Sequence, residues 1–374
     1  MVPLVQACQG ERPPVAPGPS TSPPPHRDVE GQDDPEVVAA LAAVLAGSPV
    51  PGAVAAVCRC DGPTSIGAWG ERKAGGQAPM EAHDAVHVGS DTKAMTAALA
   101  ARQVDAGLLR WDSTLEEVLP SLANRVDEAY RTATLTQFLR HTSGAPANPR
   151  SWRAFGDLPL RERRVEIAAA ALAEPPAAPP GAEFLYSNLG YMVAGAMVEA
   201  VRDAPWEELM VTDVFLPLGI EGAGFGVPGT IGEEDAPWGH TLRRGTARPI
   251  QADNDPALGP AGTVHLPVAD WARFVLQFTD AAADLTDDPF LSTASRTKLT
   301  EVGRGGYAFG WMVTERGWAQ GVALTHSGSN TTWFATAWVA PRIDRAYLVA
   351  VNAAGAGIPG LVDRAIGALI ALDR

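Results

Sequence analysis

Hydrophobic positions first recur with a helical period over residues 35–46, where Glu36 precedes an Ala/Val/Leu run that Gly47 and Pro49 close. Two short β-like runs follow, Val54 to Cys60 and Ser65 to Gly70, and Asp61-Gly62-Pro63 between them reads as a hairpin turn. A long helix is predicted from Ser90 through Met95, Leu99 and Val104 to about Leu109, with an acidic, Leu-containing segment after it to Leu122. From Ala97 to Asp287 the pattern is mostly helix and loop, clearest at Ile167 to Ala173 and Tyr191 to Arg202. Strand-like runs return at Tyr307 to Glu315, Val322 to His326, Thr332 to Val339 and Ala346 to Val351. A last amphipathic helix after Pro359 puts Leu361, Val362, Ile366, Leu369 and Ile370 on one face. Early strands, a helical middle and late strands imply an α+β fold whose one sheet is built from both chain ends. The expected units are residues 35–96 plus 288–374 as a sheet domain flanked by helices, and 97–287 as an inserted, mainly helical domain.

Composition narrows the partners. Hydrophobic residues make up 46% of the 374 and the net charge is −14, so nucleic acid and anionic membrane are repelled and a small molecule or short peptide is the expected partner. The only lysines are Lys73, Lys93 and Lys298, which makes a lysine inside a motif less easily a coincidence. Cys58 and Cys60 sit two apart on one strand face and read as packing residues rather than a bridge or a metal site. Val5-Gln6-Ala7-Cys8 resembles a lipoprotein processing site, with Cys8 as the candidate lipidation residue. Residues 1–34 are rich in Pro, Gly and Ser and read as a disordered tether. Only seven residues precede Cys8, so the export reading takes the signal as truncated: an extracytoplasmic protein is expected, with a cytoplasmic one as the alternative. Membrane contact is expected only through that anchor, since no other segment has eighteen consecutive apolar residues.

Candidate chemistry begins at Gly89-Ser90-Asp91-Thr92-Lys93. Three residues apart at a helix start, Ser90 and Lys93 share one face, beside free N–H groups and the positive end of the helix. That field and burial lower a lysine pKa, which would let Lys93 take the Ser90 proton. The bland alternative is a capping serine and an exposed lysine. Tyr186-Ser187-Asn188 lies downstream, and His326-Ser327-Gly328 closes a predicted strand. These three motifs, in this order, resemble the β-lactamase-related serine hydrolases: class C β-lactamases, D,D-peptidases and esterases of β-lactamase fold. Leu139-Arg140-His141-Thr142-Ser143-Gly144, Pro217-Leu218-Gly219 and Gly259-Pro260-Ala261-Gly262 support the resemblance, which covers roughly residues 35 to 370.

The resemblance implies an antiparallel sheet and a set of roles. Ser90 would be acylated, Lys93 and Tyr186 would share the proton work, and either could be the base. Asn188 would bind the substrate amide or hold Lys93, and His326, Ser327 and Gly328 would line the substrate. The backbone N–H groups of Ser90 and Ser329 would form the oxyanion hole. Many β-lactamases carry Lys-Thr-Gly where this chain has His326-Ser327-Gly328. A histidine near its ordinary pKa is only partly charged, so carboxylate capture is expected to weaken and the expectation moves toward a small ester or a D-amino-acid amide or peptide. A β-lactamase or a penicillin-binding sensor that acylates without turnover is the alternative.

Other chemistries fit less well. No Gly-x-Ser-x-Gly elbow is present. His83 and His87 have a zinc-protease spacing, but in an extended segment they would stand about 13 Å apart. His141, His240 and His265 flank turns and read as loop braces, and Trp238-Gly239-His240 either lines the cleft or braces a turn. No metal and no cofactor is expected.

Overall fold

The computed structural model describes residues 33–60, 64–283 and 289–373. Residues 1–32 of the expected tether with Cys8, the Asp61-Gly62-Pro63 turn and the expected 287/288 boundary lie outside them, whereas Asp33 and Asp34, expected in the tether, are bound to the strand at 65–70 and to the first helix.

A six-stranded antiparallel sheet, in the spatial order 65–70, 52–59, 345–351, 334–340, 321–329 and 312–316, joins the two ends of the chain. Its strands are β1 (Gly52–Arg59), β2 (Ser65–Gly70), β8 (Met312–Arg316), β9 (Gly321–Ser329), β10 (Phe334–Ala340) and β11 (Arg345–Val351). β1 and β11 pair directly, Ala53 opposite Val351 through Arg59 opposite Arg345. This pairing explains the unbroken apolar run of β1, because a strand covered on both faces has no polar side to alternate with. Val54, Ala56 and Cys58 face one core, and Ala53, Ala55 and Val57 face a second. The second core is closed by the terminal helices α1 (Pro35–Leu45) and α5 (Ile358–Leu372). Asp34 caps α1 by accepting the Glu36 N–H at 2.9 Å, and Pro35 takes the first helical position, where its missing donor is harmless.

The first core is shared with α2 (Thr92–Asp105), α3 (Leu160–Ala171) and α4 (Asn188–Arg202). Two smaller sheets stand beside it. One is β3 (Ala85–His87), β7 (Val264–Pro267) and β4 (Gly224–Phe225), and the other is β5 (Gly239–Arg243) with β6 (Thr246–Ile250). No helix among the described residues is long and apolar enough to cross a membrane.

Three elements differ from the sequence expectation. Ser90 does not open the long helix; Gly89–Asp91 forms a separate 3-10 turn, and α2 starts at Thr92. α3 begins well before Ile167 because its first turns turn Arg163 and Arg164 inward, which hides the apolar stripe. Residues 307–311 fold back as a turn, Tyr307 bridging Met312, so only Met312–Arg316 is strand.

Arg164 is fully buried. It pairs with Glu199 on α4 and Glu207, and donates to the carbonyls of Pro256 and Ala257 at 3.2 Å each. Those carbonyls precede the short Gly259–Gly262 helix, which packs against the Gly89–Ser90 backbone. Removing one member of such a network leaves a buried charge unpaired. Arg164→Met is therefore expected to cost about 3–5 kcal/mol in a denaturant unfolding experiment.

Candidate active site

The 3-10 turn carrying Ser90 lies against the end of β9. β8 pairs with β9 only as far as Thr325, so the edge from His326 to Ser329 is open on that side, and the turn fills it. The approach is so close that a Cβ on Gly328 would stand 1.9 Å from the Val88 oxygen and 2.5 Å from the Ser90 nitrogen. A Cβ on Gly89 would meet the Ser329 nitrogen at 2.3 Å, and Gly89 also has φ +54. Glycine is required at both places by contact with backbone, which cannot yield as a flexible side chain can. The N–H groups of Ser90 and Ser329 are thereby brought beside one another from opposite ends of the chain.

Lys93, on the first turn of α2, is fully buried. Its Nζ lies 3.0 Å from Ser90 Oγ, 2.8 Å from Asn188 Oδ1 and 2.6 Å from the Ala261 carbonyl. A neutral amine has two N–H bonds and one lone pair. The two carbonyl oxygens accept the two N–H bonds, and the remaining direction points at the Ser90 hydroxyl. Burial pushes the Lys93 pKa from 10.5 down to about 7, while the nearby Asp91 works the other way. Asn188 is held in register by donating Nδ2 to Asn148 Oδ1 at 2.9 Å. Ser187, not Asn188, caps α4, accepting the Gly190 N–H at 2.8 Å.

Tyr186 exposes 37% of its surface, yet its hydroxyl lies inside against Ser90. Burial lifts the phenol well above its ordinary value, with the Ser90 contact pulling the other way, so the resting group keeps its proton. His141 braces it: the rings sit 4.2 Å apart, and His141 Nδ1 accepts the Ser187 N–H at 3.0 Å. Burial holds His141 well below 6.5, and a neutral ring suits that acceptor role.

His326 departs from the partly charged group expected. It is buried against Tyr307, and desolvation drives its pKa to about 3, with Lys93 pushing the same way. It is neutral at any ordinary pH. Its Nδ1 stands 3.8 Å from Asp91 Oδ1, beyond hydrogen-bond range. Asp91 is itself a buried acid without a hydrogen-bond partner among the described residues, and burial raises its pKa well above 3.8. Ser327 turns to the other face of β9, its hydroxyl 2.9 Å from Thr336 Oγ1.

His83 and His87 do not meet. His83 is exposed beside Glu81, while His87 is fully buried beside Asp253. His240 and His265 brace loops through the carbonyls of Asn352 and Gly226. Trp238 donates Nε1 to the Glu233 carbonyl and stacks under Lys73, so it braces a turn. Sequence reasoning missed the Ala261 carbonyl as a lysine ligand, Asn148, and the cleft residues Arg150 and Trp152. A carbonyl leaves no residue signature, and the loop residues belong to no motif. The cleft at Ser90 holds about 460 Å³ and is lined by Asn148, Arg150, Trp152, Asn188, Ser329 and Thr331, among others. That volume suits a small molecule.

The Beta-lactamase family model matches residues 37–371. Penicillin-binding protein 4 of Amycolatopsis lactamdurans is 29% identical over 244 residues, 63% of this chain and 61% of that protein. The match thus spans about three fifths of that relative's length. A D-stereospecific amidohydrolase from Streptomyces sp. superposes with TM-score 0.70 at 23% identity, over 89% of this chain and 98% of that one. A class C β-lactamase from Rhodobacter sphaeroides gives TM-score 0.72 at 19% identity, over 91% and 99%. The two structures share the fold.

The Lys93 geometry predicts a pH dependence. Labelling of Ser90 by a fluorophosphonate should accelerate as pH rises, with a midpoint near 7, and level off above it. His326→Gln should leave that midpoint in place, and Lys93→Met should remove the rise and slow labelling by about 100-fold. The same group predicts a stability slope. Between about 7 and 10.5 the unfolded chain holds the lysine proton and the folded one does not, so the Lys93 contribution to stability rises with pH in that window. Below 7 the cost of the buried ammonium is fully present. Unfolding curves of the native chain and Lys93→Met should therefore converge or cross as pH rises through this range.

Proposed function

Because the chain belongs to the beta-lactamase family of serine hydrolases, we propose that it forms an acyl-enzyme on Ser90 and hydrolyses a small ester or a D-amino-acid amide or peptide bond. The observation that carries this reading is the hold on Lys93, whose Nζ lies 3.0 Å from Ser90 Oγ, 2.8 Å from Asn188 Oδ1 and 2.6 Å from the Ala261 carbonyl, so that the neutral amine, with its two N–H bonds on the two carbonyl oxygens, keeps its lone pair for the Ser90 hydroxyl.

The amine accepts the Ser90 proton as Oγ attacks the substrate carbonyl. Negative charge develops on the carbonyl oxygen between the N–H groups of Ser90 and Ser329, an arrangement worth roughly 100- to 1000-fold in rate per donor. Tyr186, a phenol at rest, hands its proton to the leaving alkoxide or amine and recovers one from the Lys93 ammonium. Lys93 is then neutral again, and water attacks the acyl group by the same route in reverse. Lys93 is thus the acylation base and Tyr186 the proton relay, an assignment supported by the opposite directions of their pKa shifts.

The neutral His326 bears on substrate choice, because no charge at that position is available to a substrate carboxylate. The cleft offers Arg150 instead, which carries no ion pair among the described residues. Its neighbour Asp255 is already taken by Arg163 at 2.6 Å.

Two measurements test the reading. With a p-nitrophenyl ester, intact mass should show a transient adduct that disappears as product forms, and Ser90→Ala should be inactive. Full activity in Ser90→Ala would overturn the mechanism, whereas a stable penicillin adduct with no ester turnover would identify a sensor. Arg150→Ala should raise KM by roughly fivefold for substrates with a free carboxylate, the size of an exposed ion pair, and leave neutral esters unchanged. An equal effect on both substrate classes would remove Arg150 from carboxylate capture.

A further inference from the structure

The two oxyanion N–H groups are contributed by segments far apart in sequence. The glycine contacts at 89 and 328 set how near those segments can come, but steric contact alone does not hold them there. A group of polar contacts lies beside them.

His87, at the end of β3, is fully buried. Its Nδ1 accepts the Gly89 N–H at 3.0 Å, so Nε2 carries the ring proton. Nε2 lies 2.9 Å from Asp253 Oδ1, a close contact whose N–H points off the line to the oxygen. The same Oδ1 accepts the Asn330 Nδ2–H at 2.9 Å. Asn330 in turn accepts the N–H groups of Thr332 and Trp333 at 3.1 and 3.0 Å, which fixes the turn after β9. One carboxylate oxygen therefore accepts a hydrogen bond from the residue after Ser329 and stands in close contact with His87, the ring that holds the residue before Ser90.

The other Asp253 oxygen is buried and has no hydrogen-bond partner among the described residues. A carboxylate kept in that state costs stability, since an unsatisfied buried acceptor loses its water without replacement. Departures of this kind from a fully satisfied interior are expected where geometry is held for chemistry.

We propose that Asp253 is a positioning residue that sets the spacing of the Ser90 and Ser329 N–H groups through His87 and Asn330. It touches no substrate; it acts on the oxyanion hole through two neighbours. The inference rests on Ser90 being the acylated nucleophile.

A boronic acid that adds to Ser90 as a tetrahedral adduct reads the oxyanion hole, whereas KM for a neutral ester reads ground-state binding. Asp253→Ala should lower kcat and boronate affinity together, by about 100-fold, the loss typical of one oxyanion donor, with KM within twofold. Asp253→Asn keeps an oxygen at the Oδ1 position and should restore most of both. Boronate affinity and kcat within threefold of the native chain in Asp253→Ala would overturn the proposal, as would equal damage in the Asn variant. If Asp253→Ala does not fold, Asn330→Ala, which cuts one arm only, must show the same split between kcat and KM; an unchanged kcat there also overturns it. Ser90→Ala separates the two readings. Activity in that variant sinks the hydrolase assignment, while an inactive Ser90→Ala beside a fully active Asp253→Ala sinks only the positioning role of Asp253.

Discussion

A primary amine enclosed by protein must place two hydrogens and one lone pair, and the surroundings of Lys93 are arranged around that requirement. Asn188 Oδ1 arrives from the start of α4 and the Ala261 carbonyl from the short helix beyond it, while Ser90 comes from the 3-10 turn just before the lysine's helix. Each of these positions depends on something further out. α4 is started by the Ser187 cap, and the 256–262 segment is held through Arg164 to Glu199 and Glu207. Burial disfavours the ammonium, and the two acceptors orient what remains. The interior therefore brings the amine form of Lys93 within reach of neutral pH and fixes the direction of Nζ.

A second constraint meets the first at Ser90. The open end of β9 and the Gly89–Asp91 turn approach until no Cβ fits between them. Ser90 is thus fixed on one side by contact with the strand and on the other by the lysine. The aromatic group around His141 positions Tyr186 over the same point, with Tyr191 and Tyr307 packed against the His141 ring. Burial acts in opposite senses on the groups gathered there. It lowers Lys93 toward neutrality, holds Tyr186 in the phenol form, and empties His326 of charge. One physical cause lowers the lysine, raises the phenol and leaves the histidine neutral.

Much of this was legible in the sequence because it was written in side chains at short spacings. Ser90 with Lys93, and Tyr186 with Asn188, come together in space as their motifs implied. The sheet from both chain ends followed from strand-like runs at residues 54–70 and 307–351, and the fold neighbours share it. What stayed hidden has physical reasons. The charge of His326 depends on burial, which a motif does not encode. The first turns of α3 were masked by arginines that face inward because distant acids receive them. Residues 307–311 are apolar enough for a strand but are spent on a turn. Asp253 belongs to a loop with no motif, and its partners His87 and Asn330 are assembled only by the tertiary fold.

The most direct test observes the lysine itself. The chain has only Lys73, Lys93 and Lys298, so lysine labelled at its terminal carbon and nitrogen yields three signals, and Lys93→Arg assigns one of them. Titrated by NMR, the Lys93 signal should pass from ammonium to amine with a midpoint near pH 7. A Lys93 signal that remains ammonium up to its ordinary value of 10.5 would contradict the account, because Ser90 would then have no lysine base to activate it.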